Sequence, residues 1–282
     1  MFTKKESERK MFESIIEQLS ASVPLSDTEY IENGLLHCKK CGKPTETIIL
    51  HPFTGEQRKV RIICDCRKKD LEAHKEQERA EGIYRQKHIC FAESNMISWT
   101  FENDDRKNEK LSRAMQNYVR DFADYKKQGK GLLLHGPCGT GKTYLAACIA
   151  NALIENGYTA YMTDFVRLSN MIFDTKEGKQ AFIDALNRYS LLILDDLGVE
   201  RTTEYMKETV YNIINTRYKA GLPFIVTTNL SMKEIIGTQD ISNTRTYDRI
   251  IERCIPVEVV GVSRRRQGLA ETLKSDIERL GL

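Results

Sequence analysis

Eight consecutive residues constrain this chain more than any other feature: Gly136-Pro137-Cys138-Gly139-Thr140-Gly141-Lys142-Thr143. They fit the pattern G-x-x-x-x-G-K-[ST], follow an apolar run at 132–135 and precede a helix-forming stretch from Tyr144 to Ile154. A strand, a glycine-rich turn and a helix in that order wrap backbone N–H groups around an anion. The positive end of the helix adds to the attraction. Such a unit needs a parallel sheet to sit in.

The rest of the C-terminal two thirds supplies that sheet. Short apolar runs at 132–135, 159–162, 191–194, 224–227 and 257–260 alternate with helical periodicity at 142–156, 164–188, 203–219 and 231–236. A further helix is expected over 111–125. Runs that are apolar throughout, separated by helices, predict an α/β fold with a five-stranded parallel sheet and helices on both faces.

The N-terminal third is different. Residues 2–20 carry Phe12, Ile15, Ile16 and Leu19 at helical spacing, and Val23-Pro24-Leu25 ends that pattern. This stripe suits either docking to a partner or packing on its own domain. β-branched residues at 47–50 and 59–63 flank Pro52 and Gly55 and predict a hairpin. Charge-dense residues 67–87 predict a solvated connecting helix. The expected organisation is a small α+β module at 1–66, a helical linker at 67–99 and the ATPase domain at 100–282.

Cysteine usage narrows the module's chemistry. No run of eighteen apolar residues exists, and Lys4, Lys5, Glu6, Glu8, Arg9 and Lys10 lead without an apolar segment of the secretory type. A cytoplasmic protein with no membrane span and with reduced thiols is therefore expected. Cys38-Lys39-Lys40-Cys41 and Cys64-Asp65-Cys66 are separated by 22 residues with the hairpin between them, which suits a tetrahedral zinc site. The second pair is tighter than the usual C-x-x-C, so His37 or His51 is an alternative fourth ligand, and four unrelated thiols are the bland reading. Cys90, Cys138, Cys148 and Cys254 read as packing residues. The net charge of +3 decides nothing about nucleic acid.

Within the phosphate site each residue type has a task. Lys142 reaches the β- and γ-phosphates of ATP, the Thr143 hydroxyl ligates Mg²⁺, and Tyr144 joins the nucleotide-binding set. The strand at 191–194 ends in Asp195, a ligand of the Mg²⁺ shell, and Asp196, which orients or deprotonates the attacking water. Asp is a methylene shorter than Glu, so hydrolysis is expected to be slow. Asn229, after the strand at 224–227, is either a γ-phosphate sensor or a cap for the next helix. Arg245 and Arg249 share a helix face, and Arg264, Arg265 and Arg266 follow.

With these residues the chain resembles the DnaC/DnaI/IstB group of AAA+ ATPases over about 100–282. The strings are Thr100-Phe101-Glu102-Asn103, the octapeptide at 136–143, Asp195-Asp196-Leu197-Gly198 and Thr227-Thr228-Asn229-Leu230. The resemblance implies an AAA+ domain without a full lid. It implies self-association through an arginine finger in trans, Arg249 or Arg245, and a second sensor at Arg264 or Arg265. It also implies that the zinc module grips a DnaB-type replicative helicase, which the protein loads onto single-stranded DNA. Tyr161, Phe165, Arg167 and Arg217-Tyr218-Lys219 offer the basic and aromatic side chains for that strand. Alternatives are an IstB-type transposition helper that recruits a transposase, and an ATP-gated adaptor with vestigial hydrolysis.

Overall fold

The computed structural model describes residues 26–51, 54–92, 94–105, 108–174, 178–198, 204–264 and 269–280, with Met11 and Ser14. The apolar stripe Phe12, Ile15, Ile16 and Leu19 lies outside the described residues, as do Arg265 and Arg266. The chain divides between Glu81 and Gly82 into two compact units.

The first unit holds two antiparallel hairpins. Strands β1 (Glu29–Glu32) and β2 (Leu35–Cys38) pair through a turn at Asn33 and Gly34, both at positive φ. Asn-Gly is the two-residue signal for this type of turn. Strands β3 (Glu46–Leu50) and β4 (Gln57–Arg61) form the expected hairpin. Arg61 fastens the two hairpins with a fork of bonds to both oxygens of the buried Glu29, each 3.0 Å. Helix α1 (Asp65–Phe91) begins beside β4 in sequence and continues past the division.

The second unit is built on a parallel sheet of five strands: β5 (Gly131–His135), β6 (Ala160–Asp164), β7 (Leu191–Leu197), β8 (Phe224–Thr228) and β9 (Cys254–Glu258). Their order is β6-β7-β8-β5-β9. Alternate residues of each strand enter different cores. Leu132, Leu134, Leu191, Ile193 and Ile225 pack with α2 (Glu109–Arg120), α3 (Phe122–Gln128) and α4 (Lys142–Glu155). Leu133, Leu192, Leu194, Phe224 and Val226 pack with α5 (Phe165–Asp174), α6 (Lys179–Ala185), α7 (Glu204–Lys219), α8 (Met232–Ile236) and α9 (Ile241–Arg253). Both faces are covered, which is why the strands are apolar throughout. A last helix, α10, spans Leu269–Leu280.

Three boundaries differ from expectation. The stretch 164–188 splits into α5, α6 and a short 3-10 turn, because Gly178 at φ 87° starts a new helix. The stretch 111–125 breaks at Asp121, between α2 and α3. The last strand is Cys254–Glu258 rather than 257–260. It lies at the sheet edge, with Ile255 and Pro256 exposed, so its apolar signal is weak and proline is tolerated.

Two residues expected on a DNA-binding surface are not on a surface. Phe165 is buried in the core, and Arg217 is 1% exposed. The Arg217 guanidinium donates to the carbonyls of Leu186, Ser190 and Pro223 at 2.9–3.2 Å. Five rigid donors suit such a cage of carbonyls at the ends of three segments. Burial lowers its pKa to about 10, and the carbonyl oxygens hold the charge. Tyr161 is half-buried against Tyr189, and Tyr218 donates to Glu252, whereas Arg167 and Lys219 stay exposed. Replacing Arg217 with Met strands these carbonyls in the core. Chemical denaturation of R217M should show a loss of about 2–4 kcal/mol; an unchanged midpoint would contradict the cage.

Candidate functional site

In a parallel sheet all C-terminal strand ends lie along one edge, and ligands of open α/β sheets bind there. Strand β5 has β8 beside it and β7 one strand further on. The loop after β5, Asn229 after β8 and Asp195 at the end of β7 therefore converge, although they are far apart in sequence.

The loop itself is shaped by glycine. Gly136 has φ 138°, and a Cβ there would stand 2.5 Å from the carbonyl oxygen of Val259. Gly139, at φ 81°, has no room for a Cβ against Ser263. Both contacts are made with the segment that follows β9. That segment is pinned by Val259 N–H to the His135 carbonyl at 2.8 Å and by Arg264 N–H to the Gly139 carbonyl at 2.9 Å.

Lys142 opens α4 and is only 5% exposed. Its ammonium donates to the carbonyls of Gly136 and Pro137 and to Asn229 Oδ1, each at 2.8 Å. A single cation thus joins the loop to the end of β8. Thr140 donates to the Pro137 carbonyl and steadies the turn. Cys138, expected as a packing residue, is exposed at the loop tip, while Cys90, Cys148 and Cys254 are buried. Tyr144 donates to the Thr100 carbonyl at 2.9 Å and packs against Trp99, so its hydroxyl fastens the segment before α2 onto α4.

The acidic pair is positioned by a bulge. The register between β7 and β8 shifts between Leu194 and Leu197, and Asp196 adopts φ 57°. Aspartate tolerates that left-handed conformation better than most residues. Asp195 Oδ1 accepts from Thr143 Oγ1 at 3.0 Å and from Thr227 Oγ1 at 2.6 Å. Thr227 Oγ1 also accepts the Asp196 N–H at 2.9 Å. Burial pushes the Asp195 carboxyl above its ordinary range and the Asp196 charge adds to the rise, while the two threonine bonds oppose it. Thr143 and Asp195 are close enough to share a hard cation through their oxygens.

The arginines fall in two places. On α9, Arg245 is exposed. Arg249 bonds Asn215 and Tyr211 on α7 and the carbonyl of Arg245, and its guanidinium lies 4.8 Å from the Tyr211 ring centre. Those bonds leave the planar fork in one orientation. Arg264 instead sits beside the loop, with Nη2 2.8 Å from Asp105 and 3.8 Å from Asp104.

A separate cluster lies in the first unit. The sulfurs of Cys38, Cys41, Cys64 and Cys66 all fall within 4.8 Å of one another, and no histidine joins the group among the described residues. His37 turns its ring to the Leu35 carbonyl, and His51 accepts the Thr54 N–H. Backbone N–H groups of Cys41 and Lys40 lower the Cys38 thiol to about 7. The bond to Cys64 and burial push the Cys66 thiol the other way, up to about 12. Four sulfurs this close together fit the tetrahedral coordination of a cation such as zinc.

Comparison with known proteins agrees with this geometry. The profile of the IstB-like ATP binding protein family matches residues 73–272. The chain belongs to that family. It is 29% identical over 220 residues to the replicative helicase loader DnaI of Bacillus subtilis, covering 72% of this chain and 67% of DnaI. It is 32% identical over 164 residues to a putative ATP-binding protein in an insertion sequence of Mycobacterium tuberculosis, covering 55% of this chain and 62% of that protein. A crystal structure of DnaI matches with TM-score 0.54 and 26% identity, over 64% of this chain and all of that one. This IstB-like protein thus has the AAA+ fold of DnaI, with a five-stranded parallel sheet and flanking helices.

Sequence reasoning missed the role of Thr227 and the fastening of Thr100 by Tyr144. A threonine directly after the apolar run Phe224–Val226 was the available signal for the first. Because Thr227 serves both members of the acidic pair, Thr227→Val should lower stability by about 1–3 kcal/mol. Thermal unfolding checks this, and a stability equal to the parent's would show that the bulge holds without the hydroxyl.

Proposed function

We propose that this chain is an ATP-dependent loader that binds a hexameric DnaB-type replicative helicase and delivers it onto single-stranded DNA. The observation that carries the reading is the pairing, in one chain, of the Lys142–Asn229–Asp195 constellation with the four-cysteine module ahead of it. DnaI, a helicase loader, is a relative over 72% of this chain.

ATP binds with its phosphates on residues 136–143 and with Lys142 exchanging its carbonyl partners for phosphate oxygens. Mg²⁺ is held by Thr143 and Asp195. Protons compete with Mg²⁺ for a carboxylate raised by burial, so the site loses metal as pH falls, beginning above the usual carboxylate range. Asp196 orients or deprotonates the attacking water. Asn229, which holds Lys142 at 2.8 Å, registers the γ-phosphate through that same lysine. Hydrolysis is slow, because the short Asp196 side chain reaches less far than a glutamate. Arg264 acts as the second sensor. The α9 face bearing Arg245 and Arg249 supplies the finger to a neighbouring subunit.

Zinc staples the first unit, whose described residues include few buried apolar side chains, Cys38, Val60 and Cys64. Ile31, Ile48, Leu50 and Ile63 are exposed on it at 48–67% and form the natural surface for the helicase. The 32% identity to an insertion-sequence protein favours the second reading, a transposition helper.

Affinity capture of the full chain from replicating cells separates the two. A DnaB-type helicase should co-purify in proportion to the bait, together with about one zinc per chain. Cys64→Ser should lose the helicase yet keep ATP binding. Recovery of a transposase in place of the helicase would transfer the assignment to the second reading.

A further inference from the structure

The ladder between β7 and β8 is interrupted at the acidic pair. Leu194 pairs with Val226 and Leu197 with Thr228, so Asp195 and Asp196 together stand opposite the single residue Thr227. A bulge of this kind re-aims side chains and takes the extra residue out of the ladder. The Thr227 side chain, fully buried, answers both acids from one atom. Its Oγ1 accepts the Asp196 N–H at 2.9 Å and donates to Asp195 Oδ1 at 2.6 Å. The next threonine closes the interruption, with Thr228 Oγ1 donating to the Leu197 carbonyl at 2.6 Å. That oxygen also accepts the Leu230 N–H at 3.1 Å, across the turn that carries Asn229. Valine has the same branching and suits a buried strand better, so packing alone gives no reason for a hydroxyl at 227.

We propose that Thr227 is a positioning residue for ATP hydrolysis: its hydroxyl fixes where the Asp196 carboxylate stands relative to Asp195. The inference rests on the ATPase reading of the site and adds a residue that acts through Asp196. Asp196 has φ 57°, a conformation that persists only where its surroundings hold it. Without the hydroxyl its N–H loses this acceptor, and the residue relaxes toward ordinary strand geometry, in which alternate side chains face opposite sides of the sheet. The carboxylate then leaves the position from which it orients or deprotonates water. Nucleotide binding depends on other atoms. Lys142 is held by the carbonyls of Gly136 and Pro137 and by Asn229, and Asp195 keeps its bond from Thr143. Loss of the Thr227 hydroxyl therefore separates chemistry from binding.

The test is single-turnover hydrolysis with the full chain in excess over Mg-ATP. Only folded, nucleotide-loaded protein is counted, so a loss of stability by itself leaves the rate constant unmoved. Thr227→Val and Thr227→Ala should each slow that constant about tenfold to a hundredfold, with ATP affinity changed by less than about threefold. Thr227→Ser keeps the hydroxyl and should stay within about threefold of the parent rate. In an Asp196→Asn background, Thr227→Val should slow the residual rate no further, because the hydroxyl acts through that carboxylate. A parent-like rate in the Val or Ala variant overturns the proposal, as does a Ser variant as slow as Val. A further loss from Thr227→Val in the Asp196→Asn background overturns it too. Those results leave the ATPase reading standing. Failure of the parent to hydrolyse bound ATP overturns that reading, and the role of Thr227 with it.

Discussion

A lysine only 5% exposed must have its ammonium answered by oxygen atoms, and three are among those that answer Lys142. Two are carbonyls of its own loop, and the third is the amide oxygen of Asn229 at the end of a neighbouring strand. The bond to Asn229 requires β5 and β8 to be adjacent and parallel, because only then do their C-terminal ends stand side by side. Much of the second unit follows from that requirement. Helices must cover both faces, the strands must be apolar throughout, and the helix that carries Lys142 must begin at the end of the turn.

The same edge explains the acidic pair. A regular strand would send Asp195 and Asp196 to opposite faces of the sheet. The bulge after Leu194 and the left-handed Asp196 break that alternation, and Thr227 holds the bulge with one hydroxyl, donating to Asp195 and accepting from Asp196. Backbone strain of this kind costs on the order of 1–3 kcal/mol and persists where its surroundings fix it. Here the surrounding is a fully buried strand.

Much of this was legible in the chain before any coordinates. The octapeptide, the apolar runs and the two cysteine pairs each carry a spacing that few other structures satisfy, and the five parallel strands and four-sulfur cluster follow. What was not legible depends on tertiary partners. Arg217-Tyr218-Lys219 looks the same whether it faces DNA or a cage of carbonyls, because composition does not say which side of α7 is inside. The edge strand β9 has a proline and exposed isoleucine, so its start could not be found from apolarity. Asp104 sits in an irregular segment where no period exists to predict burial. The Asn33-Gly34 turn is different: its signal is local and needs no tertiary partner.

The central claim is that Lys142 holds the loop ready for a nucleotide phosphate. Calorimetric titration of Mg-ATP into the parent and into Lys142→Ala tests it most directly. The parent should saturate at one nucleotide per chain, and the variant should lose roughly a hundredfold or more in affinity while unfolding cooperatively. Equal ATP affinity in the two proteins would contradict the account.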